Sequence, residues 1–340
     1  MIDIYRGKVE EERNFIVFAT FISFFPQLVA GPIERSTDLL PQIKSEKRFS
    51  YENASYGLKL MAWGFFKKLA IANLVAPYVD KAYSSIASCT GFDILFMMPM
   101  FAIQIYCDFS GYSDIAIGTA RLFGIKLSKN FISPYFANSI SDMWHRWHIS
   151  LSTWLRDYIY IPLGGSRVSK VRRVYNLVIT FFVSGLWHGA NWTYVIWGLF
   201  HGFAQAIAGL FPRRNKKKSG ARNLFSMLAV FIFWCVTWVF FRADSITDAF
   251  EVFKKLFGSV TNPSTFVHQN IGLTPMIGIE MLVGVIILAI FDYASLRVDV
   301  IEWLSKKKTL IRWSVYVLLI WLTVTFMPFD SGAPFVYFQF

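Results

Sequence analysis

The chain has 340 residues, of which 55% are hydrophobic, 18% aromatic and only 16% charged. A soluble domain carries about 25% charged residues, so this composition excludes a water-facing globule and indicates a protein solvated by a lipid bilayer. The net charge of +12 is assigned to loops that meet anionic lipid heads on the cytoplasmic side, and nucleic acid is not expected as a partner.

A membrane span takes about 20 mostly apolar residues. In chain order the candidates are Phe15–Ala30, Leu58–Pro77, Ile94–Ala120, Leu177–Trp187, Trp192–Phe211, Leu224–Phe241, Pro275–Phe291 and Arg312–Phe329. The first closes on a Pro/Gly-rich break, FPQLVAGPIER, which predicts a sharp turn at the interface. Leu177–Trp187 is too short to cross alone, so it is either re-entrant or extended by its neighbours. Three basic stretches, Arg167–Arg173, Arg213–Arg222 and Lys306–Arg312, read as cytoplasmic, whereas Arg242–Thr274 balances its charges. The fold class expected is an all-α polytopic transmembrane bundle with interfacial and re-entrant helices. Cys89, Cys107 and Cys235 are far apart, and no zinc spacing or disulfide framework is visible.

Four features carry polar chemistry into this apolar background. Within Ile103–Ala120, Asp108 and Tyr112 stand at i, i+4 and share a helical face, and Asp114 points elsewhere. Carboxylates at membrane depth mark a water-filled cavity or a pairing with cations, for which Arg121 or Arg146 is the expected partner. Next, the stretch Asp142–Tyr160 (DMWHRWHISLSTWLRDYIY) predicts one helix with Trp144, Trp147, Leu151, Trp154 and Tyr158 on a single stripe. His148 falls at the edge of that stripe and His145 on its flank. Their i, i+3 spacing offers two ligands where zinc wants three or four, so no metal site is expected. A satisfied interface histidine remains an alternative to a functional His148.

The third feature is His188, in SGLWHGANW between two apolar segments. Glycines on both sides let a ligand or a second helix approach closely. A neutral imidazole at that depth suits general-base chemistry, because its ordinary pKa lies near 7. The bland alternative is a packing break with an incidental histidine. The fourth, His201, thirteen residues on, is the weaker candidate and is expected to serve packing. From the residues alone, a transporter using Asp108, Asp114 and the histidines stands beside an enzyme.

The motifs WHRWHISLSTWLRDYIYIPLGGSR, SGLWHGANWTYVIWGLFHG, CDFSGYSDIAIG, FPQLVAGPIER and PFVYFQF resemble the membrane-bound O-acyltransferases, closest to the branch that O-acetylates alginate and other bacterial polymers. The resemblance runs along nearly the whole chain. It implies a helix bundle with a funnel around a histidine, and transfer of an acetyl group from a cytoplasmic donor, acetyl-CoA, to hydroxyls of an exported polysaccharide. No bound cofactor is implied. It further implies a multi-pass protein of the bacterial inner membrane that works with a secreted or periplasmic O-acetyltransferase. Carried over by motif, His188 is the catalytic base and His148 its partner; Trp144, Trp147, Ser150 and Asp108 match motif positions. Tyr112 and Asn191 join them as substrate-binding candidates from their positions beside Asp108 and His188. His145 stands where relatives usually have Arg, and no role is carried onto it. The chain is expected to be a single domain, 1–340, that lacks the first spans of the family, so an inactive fragment is also considered.

Overall fold

The computed structural model describes residues 2–210, 220–261, 270–329 and 335. Every regular element among them is helical. The basic stretch Arg213–Arg222 falls mostly outside the described residues, and so does all of the C-terminal motif except Phe335.

The sequence expectation for Phe15–Ala30 needs correction. Helix α1 covers only Phe15–Ser23, breaks at Phe24, and is followed by a single turn, Phe25–Leu28. Pro26 explains the break, since it has no N–H for the carbonyl of Ile22 and its ring would collide there. Helix α2 (Ser36–Lys44) follows. Helix α3 starts at Tyr51–Phe65, passes through a π-helical segment, Phe66–Ala72, and continues as Asn73–Ser84. The π segment presents two consecutive lysines, Lys67 and Lys68, to the bundle.

Helix α4 (Gly91–Leu122) is the axis of the molecule. At about 1.5 Å per residue, its 32 residues exceed the ~30 Å hydrocarbon core. Its start is fixed by a capping box in which Thr90 and Asp93 satisfy each other's backbone N–H groups. Among the described residues, four helices are long and apolar enough to cross a membrane: α4, α9 (Gly220–Arg242), α11 (Pro275–Ser295) and α13 (Thr309–Phe326), with the short α12 (Val300–Ser305) between the last two. The most apolar 18-residue window is 72% buried in α4 and 11% buried in α13, which puts α4 at the centre and α13 against lipid. Helix α10 (Ile246–Thr261) occupies part of the stretch read as a loop. The short Leu177–Trp187 candidate is extended by its neighbours into α7 (Lys170–His188), which pairs with α8 (Trp192–Leu210).

Lipid supplies no hydrophobic drive between spans, so close approach of backbones must hold them together. Helices α3 and α4 meet glycine on glycine at two levels. A Cβ on Gly118 would lie 2.5 Å from the Gly57 carbonyl oxygen, and one on Gly111 would lie 2.8 Å from that of Gly64. Both crossings exclude any side chain. Gly118→Val is therefore expected to destabilise the fold by about 1–3 kcal/mol, read as a lowered unfolding temperature of the detergent-solubilised protein. Gly220→Ala, where an added Cβ meets nothing within 4 Å, should leave that temperature unchanged.

Candidate functional site

The Asp142–Tyr160 stretch is not the single helix that its periodicity predicts. Helix α5 (Ile140–Trp144) ends, and α6 (Ile149–Leu155) begins afresh before running into a π turn, Arg156–Tyr160. Between them the backbone also bonds to the segment that leads out of α4. The Ile132 N–H donates to the Arg146 carbonyl at 3.0 Å, and the Ile149 N–H donates to the Asn130 carbonyl at 3.0 Å. The aromatic face survives the break: Trp144, Trp147 and Leu151 are all buried.

His148 sits at the joint, with φ 42° and ψ 54°. Left-handed backbone costs a non-glycine residue about 1–2 kcal/mol, and such conformations persist only where the surroundings enforce them. Here the surroundings are buried. Phe109 of α4 packs edge-on to the imidazole, with centroids 4.6 Å apart and planes at 77°. Phe109 also meets Phe131 and Phe335.

His188 is the last residue of α7. Its ring is perpendicular to Trp197 at 5.2 Å and tilted 72° against Phe241 at 5.1 Å. The following Gly189 is obligatory by contact, since a Cβ there would lie 2.8 Å from the Tyr194 ring. A run of rings links the surroundings of the two histidines, starting from Trp147, the neighbour of His148. Trp147 touches Trp238 at 5.2 Å, Trp238 touches Phe241 at 5.0 Å, and Phe241 touches His188.

The other expected residues take distinct places. Trp144 donates from Nε1 to Nδ1 of His201 at 3.3 Å. His201 is fully buried amid Trp144, Trp197, Phe233 and Trp234, which agrees with a packing role. Ser150 gives both its N–H and its hydroxyl to Asn130 Oδ1, at 3.3 and 3.0 Å. Asn191 ties the loop after His188 to the end of α9 through the Asp244 carbonyl, and also accepts from Thr193 N–H. Asp108 and Tyr112 lie on α4 to either side of Phe109, and Tyr112 packs on Phe335 at 5.4 Å.

The cations that answer the α4 carboxylates are neither Arg121 nor Arg146. Arg121 donates to Asn53, and Arg146 pairs with Asp142. Lys68 pairs with Asp108 instead. Lys67 meets Asp114 at 2.8 Å and donates to Ser110 at 2.8 Å. The π turn aims both lysines at α4, a displacement that helical periodicity does not foresee. Nearby, the Tyr106 hydroxyl donates to Asp292 of α11 at 2.8 Å. These groups border a cavity of about 360 Å³ lined by Lys67, Tyr106, Asp114, Asn130 and Asp292, with Arg121, Lys129 and Arg297 among its basic residues. A second cavity, of about 260 Å³, lies beyond Trp144 and includes His145, Arg156 and Gln205. Outside the spans, burial pushes the Glu34 carboxyl above the usual range, while hydrogen bonds from Ser128 oppose the shift. No group of three or more His, Cys, Asp or Glu suited to a metal occurs among the described residues.

Removing one partner of a buried ion pair strands the other charge. Lys67→Met is expected to cost about 3–5 kcal/mol, and Lys67→Met with Asp114→Leu much less. Folded yield from membranes and unfolding temperature would check this, and equal losses in the single and double variants would contradict it.

Both histidines, the tryptophan cluster and the α3–α4 charge pairs fall within residues 10–246, which match "MBOAT, membrane-bound O-acyltransferase family". The chain is a multi-pass membrane protein and belongs to that family. It is 40% identical to the "Peptidoglycan O-acetyltransferase" of Helicobacter pylori over 248 residues, which are 72% of this chain and 47% of that protein. It is also 40% identical to the "Probable alginate O-acetylase AlgI" of Azotobacter vinelandii over 259 residues, 76% of this chain and 51% of that one. A "Teichoic acid D-alanyltransferase" of Streptococcus thermophilus is 30% identical over 66% of this chain and 59% of its own length. The chain thus spans about half the length of these two O-acetylation relatives.

Proposed function

We propose that the protein transfers an acetyl group from a thioester donor to hydroxyls of a cell-surface or exported polysaccharide, with His188 as the base. The observation that carries this reading is the run of rings that joins Trp147, next to His148, to His188 within a chain of this family. The names of the relatives, which concern acyl transfer to peptidoglycan, alginate and teichoic acid, support the acceptor class.

In the reaction, an imidazole nitrogen of His188 takes the proton of the acceptor hydroxyl as its oxygen attacks the acetyl carbonyl. The carbon–sulfur bond breaks, the imidazolium returns the proton to the departing thiolate, and an ester and a thiol result. His148 orients or polarises a reacting group. Acetyl-CoA fits as donor: Arg121, Lys129 and Arg297 beside the larger cavity would attract its phosphates. Those residues lie on the same side as Lys306–Lys308, the side read as cytoplasmic in the inner membrane, and a periplasmic partner would complete transfer to the polymer. The transporter alternative needs Asp108 and Asp114 as path residues, whereas both are engaged by lysines.

General-base catalysis contributes about 10²–10⁴-fold. In membranes containing the protein, His188→Ala should lower transfer of labelled acetyl groups from acetyl-CoA to polysaccharide by that factor, with the protein still inserted. Transfer at the parent rate would overturn the assignment of His188.

A further inference from the structure

We propose that Asn130 is a positioning residue that caps helix α6 in place of His148 and thereby leaves the His148 imidazole available to the site. The inference deepens the acyl-transfer reading and rests on it for its kinetic part only.

A helix begins with N–H groups that lack partners, and the residue before the first turn normally supplies a side-chain acceptor. In α6 that residue is His148, and its side chain makes no capping bond. Asn130, from the segment leading out of α4, does the work from a distance of eighteen positions in the chain. Its carbonyl accepts from the first helical N–H, that of Ile149, at 3.0 Å. Its Oδ1 accepts from the second, that of Ser150, at 3.3 Å, and from the Ser150 hydroxyl at 3.0 Å. The amide is held the right way round because Nδ2 donates to Ser113 Oγ of α4 at 3.4 Å. Asn130 is 1% exposed, so water offers these groups no substitute.

The consequence concerns His148. Its left-handed backbone is enforced by two N–H groups immediately after it being bonded to Asn130. With both taken, the imidazole makes no capping bond and lies against Phe109. Asn130 also lines the larger cavity, so a single residue joins the wall of that chamber to the conformation of His148. Ser113, Asn130 and Ser150 form one buried chain from the central helix to the histidine.

The test uses the whole protein in detergent or vesicles, with rates expressed per folded molecule. Asn130→Ala should raise amide hydrogen exchange in the peptide covering residues 149–152 and lower kcat for acetyl transfer at least tenfold, with KM for acetyl-CoA within twofold. In a His148→Ala background the same substitution should lower the residual rate less than twofold, because residues that act through one group are not additive. Unchanged exchange over 149–152 overturns the cap. Equal losses in the two backgrounds, or a loss explained wholly by less folded protein, overturn the link to His148. If the parent protein transfers no acetyl group, the acyl-transfer reading fails, and exchange alone decides whether Asn130 caps α6.

Discussion

A charge at membrane depth must be paired, and two adjacent pairs of this kind fix the rest of the molecule. Lys67–Asp114 and Lys68–Asp108 clamp the π segment of α3 to the middle of α4, flanked by glycine crossings that admit no side chain. Neither attachment tolerates sliding: a shift along the axis would part the ions and drive a Cβ-bearing residue into a backbone carbonyl. Everything the site uses is then referred to α4. Phe109 meets His148, Ser113 meets Asn130, and Tyr106 meets Asp292.

The second half of the site comes from a different unit. The α7–α8 pair delivers His188 at the end of α7, and α9 seals it with Trp234, Trp238 and Phe241. The two histidines therefore come from separate helical units. One is held by a joint between helices and the other by a helix terminus, so neither sits in the interior of a regular helix. Irregular backbone at depth is tolerated where protein surrounds it, and at both places the surroundings are aromatic.

Much of this was legible in the residues. Composition set the membrane class, and the apolar runs located α4, α9, α11 and α13 to within a few residues. The glycines around His188 announced a close approach, which Tyr194 supplies. Three things were hidden. Trp144, Trp147 and Leu151 obey helical periodicity whether or not the helix is continuous, so their stripe could not reveal the break at His148. The partners of Asp108 and Asp114 depended on a π turn that rotates Lys67 and Lys68 inward, and a 3.6-residue period assigns them elsewhere. Asn130 is one polar residue in a polar stretch, LSKNFISP, and only its tertiary bonds distinguish it.

The indoles around the histidines have an optical consequence. Trp144, Trp147, Trp197, Trp234 and Trp238 form a closed network with ring centroids 5.1–5.9 Å apart. At such spacing excitation passes between rings faster than any one of them emits, so the five behave as a single antenna. Protonation of a neighbouring imidazole quenches indole emission, and light absorbed anywhere in the cluster therefore reports on the state of His188, which touches Trp197, and of His201, which touches Trp144, Trp197 and Trp234.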